Sequence, residues 1–344
     1  MRCGQRVTRQ TPRITATAIR ADCDKKAPCS AVALATGYNA GMPDFPTLLV
    51  VGAGDVARRA LPRLTGRYRV LVVHRRAEQA TMWRALGALP IHADLDDRAS
   101  LERLAGLADC VLYTAPPDES ASGDSRVARL ANVLKRRASI PRRIVYISTS
   151  GVYGDRHGAP TPETAPCRPD SARGMRRLTA ERLWRQFARQ TGASVTILRA
   201  PGIYAGDRLP LARLRAGTPC AIASEDTPAN RIHADDLALL CVAALERRGG
   251  IRCYNVCDDS QLATGEWLDA IADRYRLARP PRLPHAELAT AVSPAQWSFL
   301  RESRLLLNAR MHAELAVALR HPTLDAFLAS ADATIELVAD AAAG

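Results

Sequence analysis

The sequence predicts an α/β fold, a doubly wound parallel sheet with a smaller C-terminal lobe. Two observations carry this prediction. Between residues 47 and 150, short apolar runs alternate with helical segments, and this alternation is typical of a parallel sheet covered by helices on both faces. The first apolar run, at 48–51, ends abruptly in the glycine-rich turn 52–57 (GAGDVA), which in such folds joins the first strand to the first helix.

The expected elements follow in order along the chain. Strands are predicted at 48–51, 70–73, 90–92, 110–113 and 144–148, with helices between them at 55–65, 77–86, 98–106 and 124–138. The second half adds a strand at 195–198, a proline- and arginine-rich segment at 201–232, a helix at 234–247, a short strand at 254–256, a helix at 264–274 and C-terminal helices near 308–318 and 322–341. The pairs Ser293-Pro294 and His321-Pro322 are typical of helix beginnings, because proline is favoured in the first turn.

This order of strands and helices is that of a Rossmann-type fold. Residues 42–344 are predicted to form one such domain, with a substrate lobe built mainly from 200–232 and 258–344 that covers the carboxyl ends of the strands. Residues 1–41 carry seven basic and two acidic residues without apolar periodicity, which favours a disordered extension or a start codon placed too early. An arginine-rich transit peptide is the alternative.

Composition argues against several classes of partner. No run approaches the roughly 18–20 apolar residues of a membrane span, so no membrane partner is expected. The net charge is +13, but the arginines are scattered and aromatic residues make up only 5%, so anionic small molecules explain the charge better than nucleic acid does. Nine cysteines without a CxxC pair indicate a reducing, cytoplasmic location, and the histidines lack metal-ligand spacing, so no metal is predicted.

The glycine-rich turn predicts a dinucleotide site. Gly52 allows a positive φ, Gly54 lets the backbone approach a pyrophosphate, and Asp55 and Val56 open the helix whose N–H groups and dipole would face the phosphates. Such a turn can also serve only as a turn, but the preceding strand and the following amphipathic helix favour binding.

The end of the second strand indicates which dinucleotide is bound. Enzymes for NAD usually carry an acid there, about 20 residues after the glycines, that holds the ribose 2′-hydroxyl. This chain has Arg75 and Arg76 instead, and arginine suits a 2′-phosphate. We therefore favour NADP over NAD as cofactor, with a solvated arginine pair as the alternative interpretation.

Seven short motifs occur in a characteristic order: 52–57, Ala93–Leu95, Tyr113–Pro116, Ser148–Gly154, Leu198–Tyr204, Arg231–Leu237 and Tyr254–Asp258. Over about residues 47–330 the chain thereby resembles the extended short-chain dehydrogenase/reductase superfamily, in its NAD-dependent epimerase/dehydratase group. The resemblance implies that Asp94 and Leu95 contact the adenine of the cofactor. It also places Thr114, Ala115 and Pro116 in the cofactor site.

The sequence departs from this family at its catalytic pair. The family uses a tyrosine and a lysine four residues later on one helix face, with a serine or threonine hydroxyl from the preceding strand end. Aligning Leu178–Glu181 with the family's helix places Arg173 at the tyrosine position and Arg177 at the lysine position. Arg173 stays protonated and cannot be a general base, whereas Arg177 can supply positive charge beside the nicotinamide ribose, and Thr149 falls on the hydroxyl position. The chain thus resembles atypical members, with Thr149, Arg173 and Arg177 as its catalytic candidates.

Tyr153 and Arg231 are the expected substrate contacts. In sugar-nucleotide enzymes of the superfamily, the residue matching Arg231 grips the substrate diphosphate, while the alternative is a salt bridge to Asp235 or Asp236. Tyr153 and Tyr204 match packing or cofactor-wall positions, with an acid/base role as the less favoured interpretation.

Together these features predict an NAD(P)-binding oxidoreductase or epimerase-like protein for a small anionic or sugar-like substrate, nucleotide-sugar-like substrates included. The alternative is a non-catalytic NADP(H)-binding sensor or regulatory module. Some atypical members of the superfamily bind the cofactor without an assigned reaction, which keeps this alternative open. The oligomeric state is left open, with a homodimer as one option.

Overall fold

The first strand is apolar on both of its faces, which explains why the sheet is covered on both sides. A computed structural model describes residues 45–119, 123–136, 139–330 and 333. Leu48 and Val50 of the first strand point into one core cluster, and Leu49 and Val51 point into another. All four side chains are buried, because successive residues of a strand face opposite sides of a sheet. The predicted extension 1–41 lies outside the described residues.

Seven parallel strands form the main sheet within the described residues. Their order across the sheet is β3-β2-β1-β4-β5-β6-β7, the Rossmann order with one further strand at the edge. The predicted doubly wound α/β fold is therefore confirmed. The strands are β1 (Thr47–Val51), β2 (Arg69–His74), β3 (Leu89–His92), β4 (Cys110–Tyr113), β5 (Arg143–Thr149), β6 (Ser194–Ala200) and β7 (Ile251–Asn255).

Helices cover the sheet on both sides. One side buries α1, α7 and α11 against the sheet, and the other buries α4 and α5. In α1 the apolar side chains recur at helical spacing, so that one face is buried and the arginines lie on the other. The helices that the structure describes are α1 (Asp55–Leu64), α2 (Gln79–Ala85), α3 (Arg98–Leu101), α4 (Ser125–Leu134), α5 (Ala172–Thr191), α6 (Leu211–Arg215), α7 (Ala234–Glu246), α8 (Thr264–Arg274), α9 (His285–Ala291), α10 (Pro294–Leu300), α11 (Ala309–Leu315) and α12 (Leu324–Leu328).

A separate core lies beyond the carboxyl ends of the strands. It is formed by side chains of α6, α8 and α12, among them Leu214, Trp267 and Phe327. Short paired strands tie this lobe together: Gly202–Tyr204 with Arg231–His233, Cys220–Ala221 with Arg282–Leu283, and Leu305–Leu306 with Pro160–Thr161. The borders of the lobe as drawn from sequence, and its role in substrate binding, stay predictions.

Several predicted boundaries are wrong, for local reasons. The helix expected at 98–106 ends at Leu101 and continues as a 3₁₀ turn, and Gly106 follows with a positive φ that a helix cannot continue. The helix expected over 322–341 is α12, which ends at Leu328; most of the residues beyond 330 lie outside the described part of the chain. The helix beginning at Ser293-Pro294 is confirmed, since the Ser293 hydroxyl accepts from the N–H of Gln296.

Candidate functional site

A cleft of about 310 Å³ opens at the carboxyl ends of β1 to β4. We call it the cofactor cleft. It lies where open α/β sheets bind ligands, because the loops after neighbouring parallel strands meet at that edge. Of the eleven residues predicted to bind the cofactor, nine line it: Gly52, Gly54, Arg75, Arg76, Asp94, Leu95, Thr114, Ala115 and Pro116.

The two glycines of the turn differ in what surrounds them. Gly52 has a φ of 109°, and a Cβ there would lie 2.5 Å from the backbone nitrogen of Ala115. No side chain fits at this position, and the turn is further closed by the Thr114 hydroxyl, which donates to the Gly52 carbonyl at 2.8 Å. At Gly54 a Cβ would meet no atom within 4 Å. Open space therefore lies directly before the N-terminus of α1, where a phosphate fits.

The side chains of Asp55 and Val56 do not line the cleft. The prediction for these two residues concerns the backbone N–H groups at the start of α1, and it stays a prediction. The Asp55 carboxylate is held in ion pairs with Arg58 at 3.0 Å, Arg59 at 2.9 Å and Arg208 at 3.4 Å. Burial alone would raise the pKa of Asp55, but hydrogen bonds from Arg59 and Arg58 hold it below its usual range. Val56 is packed in the core, so only its backbone N–H remains available at the first turn of α1.

Arg75 and Arg76 stand at the carboxyl end of β2 with exposed side chains. Neither forms an ion pair with a described residue, whereas Arg126 across the cleft is paired with Asp96. Two unpaired guanidinium groups beside an open cleft leave room for an added phosphate. The residues present therefore fit a dinucleotide: a glycine cradle, a helix N-terminus and two free cations.

A second cavity of about 360 Å³ lies between the end of β5 and the lobe. We call it the lobe cavity. Thr149 and Arg173, predicted from the family helix and strand end, both line it, and so does Arg231. The charge of its wall is unbalanced, because Glu302 is the single carboxylate among the described lining residues. Five arginines line it: Arg173, Arg208, Arg213, Arg231 and Arg304.

Two of these arginines are desolvated without a carboxylate partner in the described chain. Arg231 donates to the carbonyl of Asn230 at 2.8 Å and lies 4.9 Å from the ring centre of Trp267. Arg213 donates to the carbonyl of Pro219 at 3.0 Å. Burial lowers the pKa of both guanidinium groups. The alternative salt bridge from Arg231 to Asp235 or Asp236 is not formed.

Thr149 and Arg173 lie side by side at the entrance to this cavity. A Cβ at Gly151 would be 3.7 Å from both the Thr149 Oγ1 and the Arg173 Nη2 atoms, so both side chains lie beside this glycine. The Arg173 guanidinium lies 3.6 Å from the ring centre of Phe299, and burial lowers its pKa. Arginine at this position can hold an anion, but it cannot exchange a proton.

Arg177, one turn further along α5, has a different environment. Its Nη1 atom donates to the carbonyls of Ala115 and Ile147 and to the hydroxyl of Tyr146, at 3.3, 2.9 and 3.2 Å. It lines neither cavity, and its role among the catalytic residues stays a prediction. Its side chain is instead buried between the ends of β4 and β5, where it satisfies strand-end carbonyls.

Tyr153 is also absent from both cavities. Its hydroxyl donates to Asn255 Oδ1 at 2.7 Å, its ring lies 4.7 Å from the Arg199 guanidinium, and burial raises its pKa. Tyr153 is therefore surrounded by packed neighbours, and its role as a substrate contact stays a prediction. Tyr204, by contrast, lines the lobe cavity.

The lobe cavity also contains residues that sequence reasoning missed. Phe299 comes from α10, Glu302 and Arg304 come from the segment between α10 and the strand Leu305–Leu306, and Trp267 comes from α8. No local motif marks them, because they reach the cavity only through the packing of the lobe.

One group of possible metal ligands appears in the described residues. Ligand atoms of His233, Asp235 and His321 lie within 4.8 Å of one another. However, the Asp235 carboxylate already pairs with Arg59 at 2.8 Å and Arg320 at 3.5 Å, and the His233 ring accepts from the Asp235 N–H. Two guanidinium groups beside the carboxylate disfavour the binding of a metal cation there. The expected absence of a metal stays a prediction. None of the helices described is both long and apolar enough to cross a membrane.

Comparison with solved structures finds the same fold in other proteins. A conserved protein of unknown function from Silicibacter pomeroyi is 30% identical and superimposes with a TM-score of 0.69, covering 82% of this chain and 96% of that one. UDP-glucose 4-epimerase from Thermotoga maritima, solved with UDP-glucose, is 19% identical with a TM-score of 0.66, over 82% and 96% of the two chains. UDP-glucuronic acid 4-epimerase from Bacillus cereus, solved with NAD, is 18% identical with a TM-score of 0.64, over 83% and 98%.

No significant match exists among curated protein sequences. The two epimerases are too distant in sequence to show more than the fold. The family assignment comes from a family model, described as the NAD dependent epimerase/dehydratase family, which matches residues 48–257. That span runs from β1 to the residues just after β7 and so includes the whole main sheet. The chain therefore belongs to the NAD dependent epimerase/dehydratase family.

Proposed function

We propose that this protein is a nicotinamide-dependent oxidoreductase or epimerase that acts on a small, anionic, sugar-like substrate held in the lobe cavity. The observation that carries the proposal is the charge of that cavity, where five arginines face one carboxylate. Desolvated guanidinium groups without carboxylate partners are costly, and an anionic ligand would compensate them. Arg213 and Arg231 are the groups that we expect to bind the anion.

The cofactor is proposed to be NADP, with NAD as the alternative. A nicotinamide cofactor would supply or accept hydride in the reaction. The cradle at Gly54 and the N-terminus of α1 would hold its pyrophosphate, and Arg75 and Arg76 would bind the 2′-phosphate. We also propose Asp94 and Leu95, beyond the end of β3, as the contacts to the adenine.

The relatives indicate a class of substrate. Similar structures were solved with UDP-glucose, with UDP-N-acetylmuramic acid and with UDP-glucuronic acid. Each of these ligands joins a sugar to a diphosphate, and guanidinium groups bind phosphate oxygens in paired hydrogen bonds. A sugar carrying a phosphate or diphosphate is therefore the substrate class that we propose for the lobe cavity.

A second function, a sensor that binds NADP(H) without turnover, is favoured by one specific observation. In the resemblance, the tyrosine and lysine positions of the family correspond to Arg173 and Arg177, and Arg177 Nη1 donates hydrogen bonds to the carbonyls at two strand ends. Six described cysteines are free, which suits the reducing cytoplasm expected from the sequence.

The test is a panel of UDP-glucose, UDP-glucuronic acid, glucose 6-phosphate and glucose, each incubated with protein and NADP⁺ or NAD⁺ and followed by nicotinamide absorbance and product analysis. We expect anionic members to bind, neutral glucose to fail, and Arg231→Leu or Arg213→Leu to weaken anion binding by about tenfold or more. Arg215→Leu, an exposed arginine of the same short helix α6, is the matched control and should bind normally. Equal binding by Arg231→Leu and the control, with glucose binding as well as its phosphate, would refute an anionic substrate.

A further inference from the structure

The lobe cavity contains one carboxylate oxygen that its hydrogen bonds do not use. Glu302 is 5% exposed and lines the cavity. Its Oε2 atom accepts from both terminal nitrogens of Arg304, at 2.8 and 2.9 Å. Its Oε1 atom is buried and has no hydrogen-bond partner among the described residues. A buried acceptor without a partner is costly, which indicates that a ligand group completes its hydrogen bonding.

The backbone around Glu302 is fixed to the loop after β5. The Ser303 N–H donates to Asp155 Oδ1 at 2.8 Å, and the Ser303 carbonyl accepts from the N–H groups of Arg156 and Gly158. Arg304 donates to the carbonyl of Gly154 at 2.7 Å. The carboxylate is therefore held against the segment that begins with Thr149 rather than carried on a free loop, and such preorganisation is what a proton-transferring group needs.

Charged groups from several elements surround this carboxylate. Arg304 comes from its own segment, and Arg173 of α5 is close enough for the two charges to interact. Arg208, Arg213 and Arg231 line the rest of the cavity. The nearest acid on the packed loop is Asp155, which is turned to the Ser303 N–H and to exposed His157.

We propose that Glu302 exchanges the proton in this site, in place of the tyrosine that Arg173 replaces. This rests on the proposed function and deepens it. In a balanced alcohol oxidation, the substrate carbon loses a hydride to the oxidised nicotinamide named above, and its C–O bond becomes a carbonyl. Glu302 Oε1 takes the proton of the hydroxyl, and Thr149 donates a hydrogen bond to the same oxygen. In the reverse direction the protonated carboxyl returns that proton to the alkoxide oxygen.

Tyr204 is the competing proton carrier, since it also lines the cavity. Burial raises the pKa of its phenol, so loss of its proton is harder than in water. No lysine follows Lys135 in the chain, so none of the later segments that line the cavity offers a lysine to lower the pKa of this phenol. A carboxylate needs no neighbouring lysine to accept a proton.

The first experiment needs neither cofactor nor substrate. Sulfate is titrated by calorimetry into wild type, Glu302→Gln and Glu287→Gln, the last being an exposed control. If Glu302 faces the bound anion, wild type binds sulfate more weakly than Glu302→Gln, because a carboxylate repels an anion and an amide does not. Glu302→Gln should then bind sulfate about tenfold more tightly than wild type, whereas the control behaves as wild type. Equal sulfate affinity in all three proteins would overturn the proposal.

The second experiment uses any substrate found with the panel above. Glu302→Gln should lower kcat by about 10²–10⁴-fold with little change in the KM of substrate or cofactor, and Glu302→Asp should recover part of the loss and the acidic limb of the pH profile. A kcat for Glu302→Gln within about threefold of wild type would also overturn the proposal. Absence of turnover with every substrate would refute the proposed function instead, and the sulfate titrations would then decide alone whether Glu302 meets the ligand.

Discussion

The cofactor cleft and the lobe cavity are neighbours built by different means. Every residue that lines the cleft lies at the carboxyl end of one of the first four strands or directly after it, except for Gln79 and Arg126. The lobe cavity instead takes its walls from the end of β5, from α5, α6 and α8, and from the α10 segment near residue 300. The cleft contains the glycine-rich turn, whereas the cavity contains Arg173, at the position where the sequence resemblance predicts a tyrosine. The walls of the cleft are therefore set by local structure, and those of the cavity by the packing of distant segments.

The same contrast occurs within one helix. Arg173 and Arg177 lie one turn apart on α5, yet Arg173 meets the cavity and Arg177 holds strand-end carbonyls. The two arginines are four residues apart in sequence, but their side chains pack against different neighbours. Substitutions at four places in the chain test whether the cleft and the cavity differ in this way.

The largest effect is expected at the phosphate cradle. Gly54→Asp should abolish NADPH binding, by on the order of a thousandfold, because a carboxylate would occupy the open space before α1. The melting temperature should change little, since the backbone there has a φ of −104°, which any residue adopts. Calorimetric titration gives the affinity, and Gly54→Ala is the control for size without charge. Normal binding by the aspartate variant would place the cofactor elsewhere.

A buried acid behind the lobe cavity should make stability depend on pH. Burial raises the pKa of Asp258 to about 7, against the lowering effect of the Ser260 N–H. The folded state therefore favours the protonated carboxyl of Asp258. The stability that this preference contributes is fully present below the ordinary pKa of aspartate, and it is lost as pH rises through about 7.

Asp258→Asn imitates the protonated form at every pH. Its free energy of unfolding should match that of wild type at acidic pH and exceed it by on the order of 2–4 kcal/mol above neutrality. Urea unfolding of both proteins across this range measures the difference. A constant difference, or one that reverses in sign, would show that the carboxylate is ionised in the folded protein throughout.

The two arginines of α5 should differ in their effect on stability. Arg177→Leu should lower the free energy of unfolding by about 2–3 kcal/mol, because two buried carbonyls and a tyrosine hydroxyl lose their donor. Arg173→Leu should be close to neutral for folding, since its guanidinium has no ion pair in the described chain, and should act on anion binding instead. Equal destabilisation by both substitutions would remove the distinction drawn between them.

The smallest effect is expected at the exposed end of β2. Arg75→Ala with Arg76→Ala should weaken NADPH by about tenfold and leave NADH nearly unchanged, through the loss of one or two charge-assisted hydrogen bonds. Parallel titrations of the two cofactors measure the ratio, and Arg84→Ala, an exposed arginine at the end of α2, is the matched control. Equal loss for both cofactors would contradict the preference for NADP.

The fold and the cleft were predictable because their signals are local. Strand, turn and helix follow one another within residues 47–64, and the glycine positions need only the neighbouring backbone. Glu302 was not predictable, because it reaches the cavity only when the strand Leu305–Leu306 pairs with Pro160–Thr161 across the sequence. That Arg177 and Tyr153 lie outside both cavities could not be foreseen for a related reason. A motif gives a position on an element, but the hydrogen bonds with packed neighbours determine the position of the side chain.

The most direct test of the account is a crystal structure of the protein grown with NADP⁺ and sulfate. The account predicts the pyrophosphate at the N-terminus of α1 beside Gly54, the 2′-phosphate near Arg75 and Arg76, and a sulfate in the lobe cavity bound by Arg231 or Arg213. This result would show that the cleft and the cavity form one site for a cofactor and an anion. A dinucleotide bound away from Gly54, or a lobe cavity that takes up no sulfate while sulfate binds elsewhere on the protein, would contradict it.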